Sequence, residues 1–175
     1  QLFYCGQSCE AKIPLGDYIL TVSNQGGITT PAYITLKGFT TSALSARSDT
    51  SVRPKSAAVK VGTFTVSSGI PLVLKSLTLT STTTSTNLPS KITKLTLKDA
   101  LTGQTVGVGG LSFSLANVSL YENQSKVYEL YIDVGEVLVA DSGSVTYGGT
   151  FLVGNTLTGV DAEIPSKEIT FTVSY

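Results

Sequence analysis

Alternating apolar and polar positions run through most of this chain, and they predict strands. Tyr18, Leu20 and Val22 fall on one side of an alternating run. Tyr33 to Phe39 alternates again, with Ile34 and Leu36 on one side. Further strands are expected over 59–66, 70–80, 92–97, 105–108, 111–115, 118–121, 126–134, 136–140, 144–147, 150–153 and 168–175. In the last of these Ile169, Phe171, Val173 and Tyr175 share a face, and Thr170, Thr172 and Ser174 take the other. The polar stretch 40–56 holds both arginines, Arg47 and Arg53, and reads as a long loop with one helical turn around 42–46. The hydroxyl run from Thr80 to Asn87 is either a long hairpin loop or the solvated end of a strand. Asp99 to Gly103 reads as a turn. Gly109-Gly110, Gly135, Gly143 and Gly148-Gly149 are expected to supply the positive φ of tight turns. No stretch carries a sustained helical period.

Short strands recurring about every 8–12 residues imply an all-β fold, a two-sheet β-sandwich of jelly-roll or Ig-like type. The first residues do not fit that pattern. Leu2, Phe3, Tyr4, Ile13 and Leu15 lie among polar residues, and Pro14 and Gly16 break any regular element. The expected organisation is therefore an N-terminal extension over 1–23 and a sandwich domain over 24–175.

Composition narrows the function classes. Only 14% of residues are charged, against about 25% in an ordinary soluble domain. Lys plus Arg is 12 and Asp plus Glu is 12, so the net charge is zero. That excludes a nucleic-acid binder that tracks phosphates, which needs a basic excess. Histidine is absent, which removes Ser-His-Asp and Cys-His catalysis and the commonest metal ligand. The 25 Thr and 21 Ser residues suit a pleated, half-buried surface. No enzyme activity, cofactor or metal is expected. Asp133, Glu136, Asp141, Asp161 and Glu163 are the only acidic groups considered for calcium, which takes about six to eight oxygens. No EF-hand loop is present, and solvated turn carboxylates are the favoured reading. A glycosidase needs two carboxylates facing across a cleft, and charge this sparse argues against one.

The chain begins at Gln1, read as a processed N-terminus of a secreted protein. No run of about 18 apolar residues predicts a membrane span. Cys5 and Cys9 stand in Cys-Gly-Gln-Ser-Cys, where an oxidising compartment favours a small-loop disulfide over two free thiols. Two thiolates alone do not close a metal site. Asn117-Val118-Ser119 and Asn123-Gln124-Ser125 are N-glycosylation sequons, so Asn117 and Asn123 are candidate glycan carriers. A sandwich this poor in charge also has few residues to guard its strand edges, which recruit other chains. Such a sandwich is a candidate for strand addition between subunits.

The processed N-terminus, the short apolar extension, the Thr/Val/Gly-rich strands and the sequons together resemble archaeal surface filaments. These are the thread and bundling-pilus subunits, which assemble by donor-strand complementation and are related in architecture to TasA-like fibre proteins and chaperone-usher pilins. Gly62-Thr63-Phe64-Thr65-Val66-Ser67 is similar to a TasA-like core strand. The resemblance implies an extracellular homopolymer serving adhesion and biofilm cohesion. It also implies an N-terminal donor strand, either Tyr18, Ile19, Leu20, Thr21 and Val22 or the Leu2–Tyr4 segment. An ordinary first strand of the chain's own sandwich is an equal reading of 18–22. The alternative function is a monomeric secreted carbohydrate-binding or adhesin domain, for which eight tyrosines supply platforms in place of the missing tryptophan.

Overall fold

The computed structural model describes residues 16–20, 23–24, 27–28, 32–36, 39–45, 51–156 and 161–175. The chain divides into two units, Gln1–Gly38 and Phe39–Tyr175. In the first, β1 (Gly16–Leu20) pairs antiparallel with β4 (Ala32–Leu36), and β2 (Ser23–Asn24) with β3 (Gly27–Ile28). Each of these sheets is two-stranded among the described residues.

The second unit holds β5 (Phe39–Ser45), β6 (Ser51–Val52), β7 (Ser56–Ser68), β8 (Leu72–Thr83), β9 (Ile92–Asp99) and β10 (Thr105–Val108). It continues through β11 (Ser112–Leu120), β12 (Gln124–Val134), β13 (Gly143–Asn155) and β14 (Asp161–Val173). One sheet runs β10-β9-β12-β7-β5 and the other β11-β8-β13-β14-β6. All pairings are antiparallel except β6 with β14, which is parallel. The fold is an all-β, two-sheet sandwich.

Period-two alternation builds the core. In β7, Val61, Phe64 and Val66 are buried; in β8, Leu72, Leu74, Leu77 and Leu79. Leu130, Ile132 and Val134 of β12 and Ile169, Phe171 and Val173 of β14 close the interior. Tyr175 does not follow its strand-mates: β14 ends at Val173, and Tyr175 is 80% exposed.

Several expectations are corrected. The stretch 40–56 is not a loop with a helical turn; it contains β5 and β6 and the start of β7. Its hydroxyl residues give no apolar contrast, but the backbone of Phe39–Ser45 matches Ser68 to Gly62 of β7 rung by rung. Ladder bonding outweighs the local signal. The segment 136–140 is not a strand. It buries Val137 and then forms a 3-10 turn, Val139–Asp141, where the Asp141 carboxylate takes a bond from Asn87 Nδ2 at 2.9 Å. One short helix, α1 (Leu88–Lys91), carries no helical period in the sequence; Pro89 stands in its first turn and Leu88 is buried. The run from Thr80 is the solvated end of β8, paired with β13 as far as Thr83.

Two breaks expected between separate strands are bulges inside single strands. Segments 111–115 and 118–121 join as β11, and 144–147 and 150–153 join as β13. Gly148 and Gly149 therefore lie within a ladder, where the register shifts against β14. At Gly149 any side chain would be tight against the core. A Cβ there would sit 3.0 Å from Phe64 Cε1 and 3.2 Å from Leu77 Cδ1.

Candidate functional site

The candidate features are the N-terminal strand pair, the outer faces and the sheet edges. Tyr18, Ile19 and Leu20 lie on β1, opposite Ile34, Tyr33 and Ala32 of β4. Thr21, Val22, Cys5 and Cys9 lie outside the described residues, as do Leu2 to Tyr4.

The two outer faces of the sandwich differ. On the β8–β13–β14 face, Thr82, Thr146 and Thr170 form a cross-strand row of hydroxyls, and the next row is Thr80, Gly148 and Glu168. Thr146 Oγ1 and Thr170 Oγ1 are 3.0 Å apart, and Ser144 Oγ and Thr172 Oγ1 3.4 Å. These hydroxyl pairs add to the cross-strand contacts of this face, beside the Lys75–Asp161 ion pair.

The opposite face carries a charged network of its own. Lys60 of β7 bonds Glu129 of β12 at 2.5 Å, the Tyr131 hydroxyl donates to Glu129 Oε2 at 2.8 Å, and Lys98 Nζ lies 4.5 Å from the Tyr131 ring centroid. The Lys60 bond, seconded by Tyr131, holds the Glu129 carboxyl below its usual range. The same Glu129 bond pushes the Tyr131 hydroxyl up.

At the end of β9, Asp99 is buried and organises the turn to β10. Its Oδ1 accepts from Leu101 N at 2.9 Å and Thr102 N at 3.3 Å, and Lys126 closes an ion pair on Oδ2. Burial pushes the Asp99 carboxyl up, but the Lys126 bond, the two backbone donors and the lysine's charge together outweigh it and hold it below the ordinary value. Lys126→Met keeps the apolar stem and removes the charge. The expected cost at pH 7 is about 1–3 kcal/mol. A depressed carboxyl stabilises fully above its unfolded value of about 4 and ceases to do so as pH falls through the folded one. The gap between parent and variant in urea melts should therefore shrink from pH 7 to about pH 3; a gap that widens on acidification contradicts the pairing.

The acidic residues considered for calcium are dispersed. Asp133 Oδ1 accepts from Ala58 N at 2.6 Å, Glu136 pairs with Lys55 at 3.0 Å, and Asp161 with Lys75 at 2.6 Å. Asp141 faces Asn87 and Lys91, and Glu163 is exposed on β14. Among the residues whose burial is described, the exposed tyrosines likewise lie apart. Tyr121 follows β11 at the pole of the β7–β8 connection, whereas Tyr175 follows β14 at the other pole, its N–H on Ser142 Oγ at 3.3 Å.

Both sequon asparagines are exposed and left-handed. Asn123 has φ 63° in the β11–β12 turn, and Asn117 has φ 54° within β11. Ser119 and Ser125 are exposed as well. The sequence motif locates these residues, but nothing in it announces that Asn117 sits on an edge-strand bulge.

No protein-family model matches the chain, and no curated protein sequence matches it. Among solved structures it is similar to AvmM, which catalyzes macrocyclization in alchivemycin A biosynthesis, at 10% identity and a TM-score of 0.49 over 79% of this chain and 89% of that one. It is similar to the CssB subunit of enterotoxigenic Escherichia coli colonization factor CS6, complemented with a donor strand from CssA. There the identity is 15% and the TM-score 0.37, over 78% of this chain and 96% of that one. It is similar to the CooA pilin subunit of enterotoxigenic Escherichia coli at 15% identity and a TM-score of 0.30, over 77% and 97%. With TM-scores below 0.5, none of these likenesses bears on what this chain does.

Proposed function

We propose that this chain is a structural subunit of an extracellular, pilus-like filament, a homopolymer in which the N-terminal unit of one copy engages the next. The observation that carries the reading is the form of that unit. Among its described residues it offers only two-stranded sheets, β1–β4 and β2–β3. An isolated two-stranded sheet is marginal in water and needs a further surface to stand on. A second copy is one such surface, and a head-to-tail contact that does not close makes a filament.

The strand residues Tyr18, Ile19 and Leu20, with Thr21 and Val22 beyond them, are the proposed donor. Glycans at Asn117 and Asn123, a Cys5–Cys9 disulfide, and roles in adhesion and biofilm cohesion belong to the same proposal. The chain is not an enzyme in this reading. No helix among the described residues is long and apolar enough to cross a membrane.

Electron microscopy of the purified protein tests the proposal. Long fibres of uniform width that survive denaturant concentrations able to melt an ordinary domain are the expected result. Sedimentation at the monomer mass at all concentrations, with no fibres, overturns it.

A further inference from the structure

Strand β11 ends its sheet, since its only ladder among the described residues is with β8. A nine-residue edge of that kind is a template for another chain. Its middle is broken. Ser114 faces Ser76 and Val118 faces Leu74, so Leu115, Ala116 and Asn117 together oppose the single residue Lys75. Ala116 and Asn117 both adopt left-handed backbone, φ 53° and 54°. Asparagine visits that region with some ease, alanine at a steric cost.

The break is also closed off locally. The Ala116 N–H points to Ser114 Oγ at 3.5 Å, and Lys75 on the facing strand turns its amine to Asp161, at 2.6 and 2.7 Å. Leu115 stays buried, so the bulge does not loosen the core. The neighbouring edge on the same flank, β10, is four residues long and seated against β11. A Cβ on Gly107 would come within 2.8 Å of Phe113 Cδ1.

We propose that the Leu115–Asn117 bulge is an edge guard, which keeps β11 from pairing with a strand of another copy of this chain. Strained, left-handed, non-glycine backbone is retained where the surroundings hold it in place. Here it interrupts the one long edge of this flank near its midpoint, leaving three-residue ladders on either side, Ser112–Ser114 and Val118–Leu120. Each offers a partner strand only a short ladder. The interest of the guard rests on the filament reading, because a chain that joins its copies through strands must leave the wrong edges unavailable.

The test compares parent, Ala116→Gly and the double variant Ala116→Val/Asn117→Val, all made in a host that adds no N-glycans. Glycine keeps the left-handed bulge and relieves it. Valine is a severe outlier there and drives the segment to extended backbone. The double variant is expected to associate side by side, as dimers or laterally merged fibres. Its β11 amides should gain at least tenfold hydrogen-exchange protection, while the glycine variant assembles as the parent does. A folded double variant with parental assembly and parental exchange overturns the guard. If the double variant does not fold, Asn117→Val alone carries the same readout. Parental fibres unchanged by the valines defeat the guard and leave the filament standing. A monomeric parent whose valine variant dimerises does the reverse.

Discussion

Removing residues 1–38 is expected to abolish fibres completely while leaving a folded sandwich. The cut follows the division at Gly38, because ending the deletion after Val22 would strip β1 from β4 and leave a lone strand in place. The remaining unit is self-sufficient on its described residues. Its buried apolar side chains run from Val52 to Val173, and its ten strands pair among themselves in two five-stranded sheets. Far-UV circular dichroism should keep its β signature, and sedimentation should give one species at monomer mass. The physical reason is that a polymer joint needs both a donor and a receiving surface, and the truncation removes only the first. Fibres of parental form from the truncated protein would place the joint in the sandwich itself and end the N-terminal donor hypothesis.

The pattern of the sequence carried the sandwich because most strands contrast apolar with polar at every second residue. Thr105 to Val108 could be placed to the residue, bounded as it is by the left-handed glycines Gly103 and Gly109. The expected turn at Asp99 is confirmed by its carboxylate receiving the Leu101 and Thr102 N–H groups. What the pattern does not carry is set by partners rather than by the segment itself. Phe39–Ser45 is mostly small and hydroxylic, and only the ladder with β7 makes it a strand. A bulge breaks alternation as a turn does, so β11 and β13 each looked like two strands. Gly149 belongs to that class. Its lack of a side chain answers to Phe64 across the interior, a residue 85 positions earlier by the numbering. The sequons were legible as motifs, whereas the edge they decorate is a property of sheet order. Tyr18 to Leu20 was legible as a strand, and its pairing with β4 was not.

Phe64→Ala should be among the costliest single substitutions, about 3–5 kcal/mol. Phe64 is fully buried in the centre of β7, directly across the ladder from Tyr128, whose own ring stands 6.3 Å from Phe151. On the facing sheet the ring rests over Gly149, near Leu77. Collapse cannot fill the gap. β7 is held by β12 on one side and β5 on the other, and Gly149 has no side chain to advance. Against a total stability of roughly 5–15 kcal/mol, the loss is large enough to read directly as a fall in urea midpoint at unchanged slope. The converse change, Gly149→Val, overpacks the same place at about 1–3 kcal/mol, since its Cβ alone would meet the ring at 3.0 Å. The two together test the contact. Valine at 149 should occupy part of the space the ring vacates, so the double variant should be more stable than the sum of the single losses by at least about 1 kcal/mol. Strict additivity would show that Phe64 and Gly149 do not share a cavity, and that the glycine is there for some other reason than the ring.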